Sequence, residues 1–540
     1  MHMTRERIHR YILLFSLLLF VTGIPFCRPL MSIGLIVLSA NWLAEGNFRW
    51  KWQQLRSNRI LWVCLLPYAV HLAGLLYSSN LSYAATDLTI KLPLLLLPLI
   101  FATTPPLDKK EWHALLQLYL FAVCASALIG WMHLLRHPEI SDKREVAMHI
   151  SYIRFELNLC FGFFVALYLI RNELRNKKRA FPIIALLLAM GWIAGISLHI
   201  GALTALTLGL LCLFFLLLRT AFRQPNRAIR WGVPLLTAVM LIIAAGGFIC
   251  SYQHYSKLSQ PIQKEILTAN GRPYDQLVDV PYIEHGHSVY DHVCEEELSA
   301  AWNRCSPLPY DGLSADSNHT IRYTLIRYLN SKGFRKDSAG VAQLTPKDIQ
   351  AIENGMASVS YTRSGLEARY YETLRDLDLF FHHHEVGGSI PQRFEMWRVS
   401  WITLTRHPLF GTGTGDVKDA LGWELSKQDS PVSGVLVRSH NQYISFGIAF
   451  GVIGLAIILF SLLYPPFATG RFRHALYLVF LIIFLVSMLT DDPMERQDGV
   501  TLYAFFNSLF LFLLSNPAQQ RPYGLAVPAG TPATRCGEKG

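Results

Sequence analysis

A histidine, an arginine and an amide stand together where a polar stretch gives way to a long apolar run. They are Arg438, His440 and Asn441 in "RSHNQYISFG", residues 438–447. A neutral histidine can act as a general base near neutral pH, and an arginine offers a planar fork of N–H donors that matches phosphate oxygens. Asn441 could hydrogen-bond a sugar or cap the following helix. The stretch therefore suits either a helix end or chemistry at a membrane surface.

A further arginine lies upstream in "GGSIPQRFEMWRVSWITLTRHPLFGTGTGD", residues 387–416. Arg393 and Trp397 are four residues apart, which places them on one side of a helix. An apolar stripe at helical spacing accompanies them: Phe394, Trp397, Trp401 and Leu404. The alternative interpretation is an interfacial helix, in which Arg393 only reaches from the membrane toward water.

Neighbouring motifs do not predict a nucleotide or metal site. "HPLFGTGTGD" (407–416) lacks the G-K-S/T of a phosphate loop and the strand–loop–helix context of a dinucleotide fold, so we predict a flexible turn. "FHHHEVGG" (381–388) lacks the i, i+4 spacing of a zinc-binding helix, which favours solvated histidines. The carboxylates of "DDPMERQDG" (491–499) form either a plain acidic loop or partners for a nearby cation. No metal or other cofactor is expected.

The composition is that of a membrane protein. Of the 540 residues, 52% are hydrophobic and 16% are charged, whereas soluble proteins carry about 25% charged residues. Apolar stretches that approach the roughly 20 residues needed to span a bilayer recur along the chain. We predict an all-α polytopic fold with the following transmembrane helices: 11–26, 28–44, 59–77, 86–103, 112–134, 152–171, 181–197, 199–219, 231–251, 440–465, 473–490 and 500–515.

Basic residues predict the orientation through the positive-inside rule. Segments 171–179 and 219–230 are rich in Lys and Arg and fall on the same side as the N-terminus, whereas 77–87 and 490–494 contain neither residue. Segment 135–151 is the exception, because it holds Arg136, Lys143 and Arg144. We therefore predict cytoplasmic termini. The same bias accounts for the net charge of +11, so no nucleic acid partner is expected.

The spans divide the chain into four parts. They are residues 1–251 with the first nine spans, 252–438 as a mainly helical periplasmic loop domain, 439–515 with the last three spans, and 516–540 as a disordered cytoplasmic tail. Cys294 and Cys305 are the only cysteines of the loop. An oxidising periplasm would permit a disulfide between them, and two free thiols are the alternative.

The order of "RFEMW", "HPLFGTGTGD" and "SHNQYISFGIAFGVIGL" after a large outer loop resembles the O-antigen ligase/polymerase superfamily of bacterial inner membranes. "SMLTDDPMERQDGVTLYAFFNSLFLF" (487–512) and "YLNSKGFRKD" within the loop resemble members from Bacteroidetes-type bacteria. The resemblance extends over the plan of the spans and is sharpest between residues 320 and 512, whereas residues 1–150 match only in hydropathy.

The resemblance implies that a glycan moves from undecaprenyl diphosphate to an acceptor on the periplasmic side. In the family, an arginine of an R-x-x-x-W pattern and a histidine of an H-N pattern are essential, and they fall here on Arg393 and His440. A further arginine near the ends of earlier spans helps to hold the diphosphate, and Arg154 is the first candidate. Many relatives carry S-R-x-G where this chain reads "SLHIG" (197–201), so His199 stands where an arginine is expected.

We therefore predict a metal-independent ligase that moves O-antigen glycan from undecaprenyl diphosphate to lipid A-core in the inner membrane of a Gram-negative bacterium, in contact with membrane lipids. His440 and Arg393 are the predicted catalytic residues, and the predicted substrate-binding residues are Arg154, His199, Arg438, Asn441, Trp397 and Glu495. An O-antigen polymerase and a protein O-oligosaccharyltransferase are alternatives with the same chemistry. A transporter or flippase would place ionisable residues near the bilayer midplane, whereas the polar clusters here lie at span ends.

Overall fold

The structure is a computed structural model, and helices dominate it. It describes residues 5–137, 143–175, 180–258, 266–275, 282–315, 317, 319–363, 365–383, 386, 388–434 and 438–514. Within these ranges the one sheet is a two-stranded antiparallel hairpin of β1 (Ile283–Glu284) and β2 (His287–Ser288). The predicted all-α class is thereby confirmed. The predictions for the tail 516–540 and for the pair His384 and Glu385 lie outside the described residues.

Ten helices form the first part of the chain. They are α1 Arg5–Phe26, α2 Arg28–Glu45, α3 Phe48–Ser57, α4 Arg59–Gly74, α5 Leu81–Ala102, α6 Lys109–Arg136, α7 Tyr152–Arg175, α8 Ala180–His199, α9 Leu203–Ala221 and α10 Arg227–Ser256. All except α2 and α3 are long and apolar enough to cross a membrane, and α2 and α3 form one pair that bends by 111°. Side-chain caps fix several helix starts, such as Asn80 before α5 and the capping box of Asp108 and Glu111 at α6.

Residues 257–441, here named the connecting segment, join α10 to the last three helices. Its helices are α11 Glu295–Cys305, α12 Ile321–Ser331, α13 Ser338–Ala342, α14 Pro346–Glu353, α15 Gly365–His383, α16 Ser389–Arg406 and α17 Val417–Lys427. The first part of this segment has its own hydrophobic core around Trp302, Leu325 and Ile352. These helices agree with the mainly helical character that the sequence predicts for residues 252–438.

Two details of the connecting segment answer questions that the sequence leaves open. Thr345 and Asp348 form the capping box of α14 that their spacing predicts. Cys294 and Cys305 are both free thiols. They lie at opposite ends of α11, roughly 16 Å apart at 1.5 Å per residue, whereas a disulfide needs Cα atoms about 4.4–6.8 Å apart. A disulfide between them is therefore excluded in this fold.

Helices α18 Gln442–Ala468, α19 Ala475–Ser487 and α20 Gln497–Ser508 complete the bundle. Helix α18 is long and apolar enough to cross a membrane, α19 is shorter, and α20 continues into a π-helical turn at Leu509–Leu513. Each predicted span coincides with a helix, although the number of spans remains a prediction. Helix α7 is the most deeply packed of the candidate spans, with 78% of its apolar window buried, whereas no residue in the corresponding window of α10 is buried.

The glycine-rich stretch 407–416 is not the flexible turn that its composition predicts. Helix α18 is broken at Gly451, whose φ is +63°, and the stretch runs along this break. The backbone N–H of Thr412 donates to the carbonyl of Ile448 at 2.8 Å, and that of Val452 donates to the carbonyl of Pro408 at 2.8 Å. The stretch therefore supplies partners for the backbone groups that the broken helix leaves free.

The same stretch also contacts the connection between α4 and α5. The Asp416 carboxylate accepts hydrogen bonds from the backbone N–H groups of Ser79 (2.6 Å) and Asn80 (2.8 Å). The hydroxyl of Tyr77 donates to the carbonyl of Phe410 at 2.9 Å. These contacts fix the end of α16 against the bundle, and α16 carries Arg393.

Candidate active site

His440 lies at the centre of the candidate site, on the turn that leads into α18. Its φ is +52°, a left-handed conformation that is uncommon for a residue with a Cβ. Two hydrogen bonds hold this backbone: His440 N–H donates to Asp492 Oδ2 at 2.8 Å, and the carbonyl accepts from Trp397 Nε1 at 3.2 Å. A strained residue that its surroundings hold in place is typical of a functional position.

The imidazole of His440 is suited to accept a proton. Its Nδ1 is buried and has no hydrogen-bond partner in the described part of the chain, which is unusual for a buried polar group. Burial lowers the pKa of His440, and the nearby positive charges of Arg393, Arg438 and Arg496 lower it further, whereas Asp491 raises it. The ring is therefore neutral at neutral pH, which is the state that a general base requires.

Three arginines from three elements surround this imidazole. Arg393 comes from α16, Arg438 precedes α18, and Arg496 precedes α20. Among the described residues, these three guanidinium groups have no ion-pair or hydrogen-bond partner. All three are close enough to influence the charge of His440. Unpaired guanidinium groups around a neutral histidine are suited to an anionic ligand such as a diphosphate.

Arg154 belongs to the same region but is already paired. It is 2% exposed on α7, and its guanidinium group contacts the Asp491 carboxylate and the carbonyl of Asp492, the latter at 3.2 Å. Burial would raise the pKa of Asp491, but the charge of Arg154 holds that pKa below its usual value. Of the two alternatives for the acids of segment 491–499, the structure shows the pairing with a nearby cation, and this cation is Arg154.

Asp492 connects Arg154 to His440. Besides the His440 N–H, it accepts hydrogen bonds from the hydroxyls of Ser439 (3.1 Å) and Ser445 (3.0 Å). Burial and the nearby carboxylates of Glu495 and Asp491 raise the pKa of Asp492 to about 6. The sequence suggested no role for Asp492 as a support of the histidine backbone, because 52 residues separate it from His440.

Asn441 and Glu495 have structural partners. The Asn441 side-chain carbonyl accepts from the backbone N–H groups of Tyr443 (3.1 Å) and Ile444 (3.2 Å), so Asn441 caps α18. Glu495 accepts from Gln442 Nε2 at 2.8 Å and lies 3.6 Å from the Lys91 ammonium. Of the two roles that the sequence allows for Asn441, the structure shows the helix cap.

The remaining predicted residues occupy different positions. Trp397 packs against Phe394, with ring centroids 5.6 Å apart, and supports His440 through its indole N–H. His199 is exposed at the end of α8, near Lys143, and no contact in the described structure joins it to His440. Sequence reasoning missed Arg496, although it is one of the few cations at its end of the bundle.

Comparison with known proteins agrees with this geometry. Residues 348–459 match the family model described as O-Antigen ligase. The match covers 112 of the 540 residues. The matched range includes Arg393, Trp397, Arg438 and His440, but neither Arg154 nor Arg496.

A protein of Haemophilus influenzae strain Rd with the description "Uncharacterized protein" is similar to this chain. The two chains are 25% identical over 112 residues, which is 21% of this chain and 28% of the relative. The chain thus matches less than a third of that protein.

The described residues contain no group of three or more His, Cys, Asp or Glu side chains that could hold a metal ion. The acids near His440 are instead bound to protein groups: Asp491 to Arg154, Asp492 to His440, and Glu495 to Gln442. The cations that remain available around His440 are arginines. The site therefore provides charge stabilisation by guanidinium groups and proton acceptance by an imidazole.

Proposed function

We propose that this protein is a glycosyltransferase that moves an O-antigen glycan from undecaprenyl diphosphate to lipid A-core on the periplasmic face of a Gram-negative inner membrane. The observation that carries the proposal is the neutral His440, whose Nδ1 is buried without a hydrogen-bond partner in the described structure, among the unpaired arginines Arg393, Arg438 and Arg496. The match to the O-Antigen ligase family model over residues 348–459 supports it.

In the proposed reaction, a hydroxyl oxygen of the acceptor attacks the anomeric carbon of the donor glycan. The bond between that carbon and the diphosphate oxygen breaks, and its electron pair stays with the diphosphate. The hydroxyl proton passes to the His440 imidazole. The three arginines bind the diphosphate and stabilise the negative charge that it gains as it leaves. No redox partner is required, since every electron pair remains within the reactants, and the three arginines supply the positive charge that stabilises the departing diphosphate.

Arg154 has a different proposed role from the one its sequence position suggests. Because its guanidinium group is buried on Asp491 and on the carbonyl of Asp492, it acts as a positioning residue. It fixes the 491–492 corner, and Asp492 in turn fixes the backbone of His440. Arg438 and Arg496 then act as the further diphosphate ligands, since no contact in the described structure joins His199 to His440.

Analysis of surface glycans in a deletion strain tests the proposed function. A ligase deletion should remove all long chains from lipid A-core while lipid-linked polymer accumulates. Complementation with the unaltered chain should restore the long chains, and complementation with His440→Ala should not. A single capped repeat that survives on the core would identify a polymerase instead. Unaltered lipopolysaccharide with loss of a protein-linked glycan would identify a protein O-oligosaccharyltransferase.

A further inference from the structure

A second, strongly basic cavity lies beside the candidate active site. It has a volume of about 400 Å³ and is enclosed by the connecting segment and by the turns that join α6 to α7 and α8 to α9. Its cationic lining residues are Lys143, Arg144, Arg327, Arg369 and Arg375. These residues come from three separate parts of the chain, so the fold concentrates positive charge here that no single sequence segment shows.

The acids nearby neutralise only part of this charge. Glu284 alone serves two guanidinium groups, accepting from Arg327 Nε at 3.0 Å and from Arg375 Nε at 3.3 Å. Glu372 pairs with Arg369 at 2.5 Å. Among the described lining residues, five cations therefore accompany two acids, Glu372 and Asp376, and Glu284 is a third acid that two of the arginines share.

Two lining residues have unused donors. Arg327 is 4% exposed, and its Nη2 has no hydrogen-bond partner among the described residues. Lys143 is half-buried in the turn between α6 and α7, and the described structure gives its ammonium neither an ion pair nor a hydrogen bond. Burial lowers the pKa of Lys143, because no anion compensates for the lost water. An unsatisfied buried cation is costly unless a ligand pairs with it.

Asp376, the other acid that lines the cavity, is hydrogen-bonded to the protein backbone. Its carboxylate accepts hydrogen bonds from the backbone N–H groups of Ser389 and Ile390 at the start of α16. This contact also places the start of α16 at the cavity, and α16 leads to the candidate active site. Ser389 lines the cavity, and Arg393 lies four residues further on, or about 6 Å along the helix axis.

The wall between the cavity and the bundle is a close backbone contact. The first residue of α15, Gly365, packs on the turn that follows α8, and a Cβ at Gly365 would lie 2.1 Å from the carbonyl oxygen of His199. Gly201 makes the reciprocal approach, with φ +65° and 2.3 Å from an added Cβ to the carbonyl of Gly365. The close packing of these two backbones therefore forms one wall of the cavity, where the bundle meets the connecting segment.

We propose that this basic cavity binds an anionic substituent, a phosphate or a carboxylate, of the acceptor glycan. The inference rests on the proposed function, since it assigns the cavity to the acceptor of that reaction. The anion pairs with Lys143 and the arginines of the cavity, and the rest of the acceptor extends along the first turn of α16 toward His440. The donor diphosphate occupies Arg393, Arg438 and Arg496, so the two anions have separate sites.

Binding of simple sugars to the full-length protein in detergent tests this assignment. The probes are glucose 6-phosphate, glucuronate and neutral glucose, and saturation-transfer difference NMR measures each Kd. We expect the two anionic sugars to bind and glucose not to bind. The anionic sugar that binds more tightly identifies the substituent as phosphate or as carboxylate. Equal signals from all three probes would overturn the proposal.

Variants locate the bound probe. Lys143→Gln should weaken binding by about tenfold, the effect of losing one hydrogen bond to a charged group, and Lys143→Arg should retain most of it. Lys347→Gln is the matched control, since this lysine is exposed on α14 outside the cavity. An unchanged Kd in Lys143→Gln, or a Kd weakened as much in Lys347→Gln as in Lys143→Gln, would overturn the assignment to the cavity.

A transfer assay separates this inference from the proposed function. With lipid-linked donor and lipid A-core acceptor, Lys143→Gln should raise the KM for the acceptor and leave the KM for the donor unchanged. Absence of transfer in the unaltered protein would contradict the proposed function, while the sugar-binding result would still decide whether the cavity holds an anion. An unchanged acceptor KM in an active Lys143→Gln variant would contradict the inference alone.

Discussion

At the scale of single residues, the site consists of one base and three cations, and the neighbouring acids support them. The His440 backbone is held in a left-handed conformation by Asp492 and Trp397, and Asp491 is paired with Arg154. This division matters for catalysis, because a carboxylate free to approach the diphosphate would repel it. With Asp491 and Asp492 bound to protein groups, a phosphate ligand meets mainly guanidinium groups.

His440→Ala should remove nearly all transfer while the protein still inserts and binds the lipid-linked donor. General-base catalysis contributes about 10²–10⁴-fold, so a purified variant should retain at most about 1% of the rate. His407→Ala is the matched control, because His407 is exposed in a separate open groove with Tyr77, Asn80 and Asp419. Full activity in His440→Ala, with loss in His407→Ala, would transfer the role of base to His407.

The pH dependence of transfer should report the charge around His440. Burial and three arginines lower the pKa of His440 from 6.5, and the base acts in its deprotonated form. The rate should therefore fall only as the pH drops below 6.5. Arg438→Gln removes one of the positive charges that lower this pKa, so the acid limb of kcat/KM should move to higher pH. Arg438→Lys, which keeps the charge, and the distant Arg363→Gln should leave the acid limb of kcat/KM at its original pH. An acid limb that does not move in Arg438→Gln would contradict the proposed charge cluster.

Arg393→Ala should weaken both donor binding and transfer, since it removes charge-assisted hydrogen bonds to the diphosphate. Each such bond contributes about 1.5–3 kcal/mol, which corresponds to a loss of at least tenfold in kcat/KM. Arg393→Lys should recover only part of the loss, because an ammonium keeps the charge but lacks the planar fork. Arg398, further along α16, forms an ion pair with Glu395. Arg398→Ala is therefore the control and should change kcat/KM little. Equal kinetics in Arg393→Ala and Arg398→Ala would exclude Arg393 as a ligand.

At the scale of elements, hydropathy located the helices but not their irregularities. Apolar runs are a local signal, and they locate helix ends only roughly: α5 begins at Leu81, after its Asn80 cap, whereas the predicted span begins at residue 86. The break of α18 at Gly451 has no local signal, since the residues that fill it, 408–412, lie in another part of the chain. The stripe expected along α16 also differs: Met396, Val399 and Thr403 are buried, and Trp401 is 60% exposed.

Gly451→Ala should destabilise the protein. At φ +63° the added Cβ costs about 1–2 kcal/mol from its left-handed backbone alone, and it would lie 2.2 Å from the backbone of Leu409. We expect a lower midpoint of thermal unfolding in detergent. Gly422→Ala in α17 is the control, because its Cβ would meet no atom within 4 Å, and replacing a helical glycine by alanine stabilises by up to about 1 kcal/mol. Equal midpoints in the two variants would show that the break tolerates a side chain.

At the scale of the whole molecule, the candidate site is assembled from distant parts of the chain. Arg154 and Asp491 are separated by 337 residues, and no periodicity or spacing predicts such a contact. One signal was nonetheless present in the sequence. Lys143, Arg144 and Arg496 are basic residues on the side that the positive-inside rule leaves poor in charge. The structure places Arg496 beside His440 and the other two in the basic cavity.

The predicted membrane topology can be tested at the two ends of α10. This helix has 30 residues, is about 45 Å long at 1.5 Å per residue, and is long and apolar enough to cross a membrane, so we predict that the turn before it and the connecting segment after it lie on opposite sides of the bilayer. Segment 219–230 carries Arg219, Arg223, Arg227 and Arg230, and the positive-inside rule therefore predicts a cytoplasmic position for this turn.

We therefore expect Lys347→Cys, on the exposed surface of α14, to react with a membrane-impermeant maleimide in intact spheroplasts. Arg223→Cys should react only after permeabilisation, because the bilayer separates it from the reagent. Both variants need a background in which the exposed Cys250 and Cys305 are replaced by serine. The opposite labelling pattern would place His440 on the cytoplasmic side, where the proposed lipid-linked donor and lipid A-core acceptor would not meet, and the proposed reaction would fail with it.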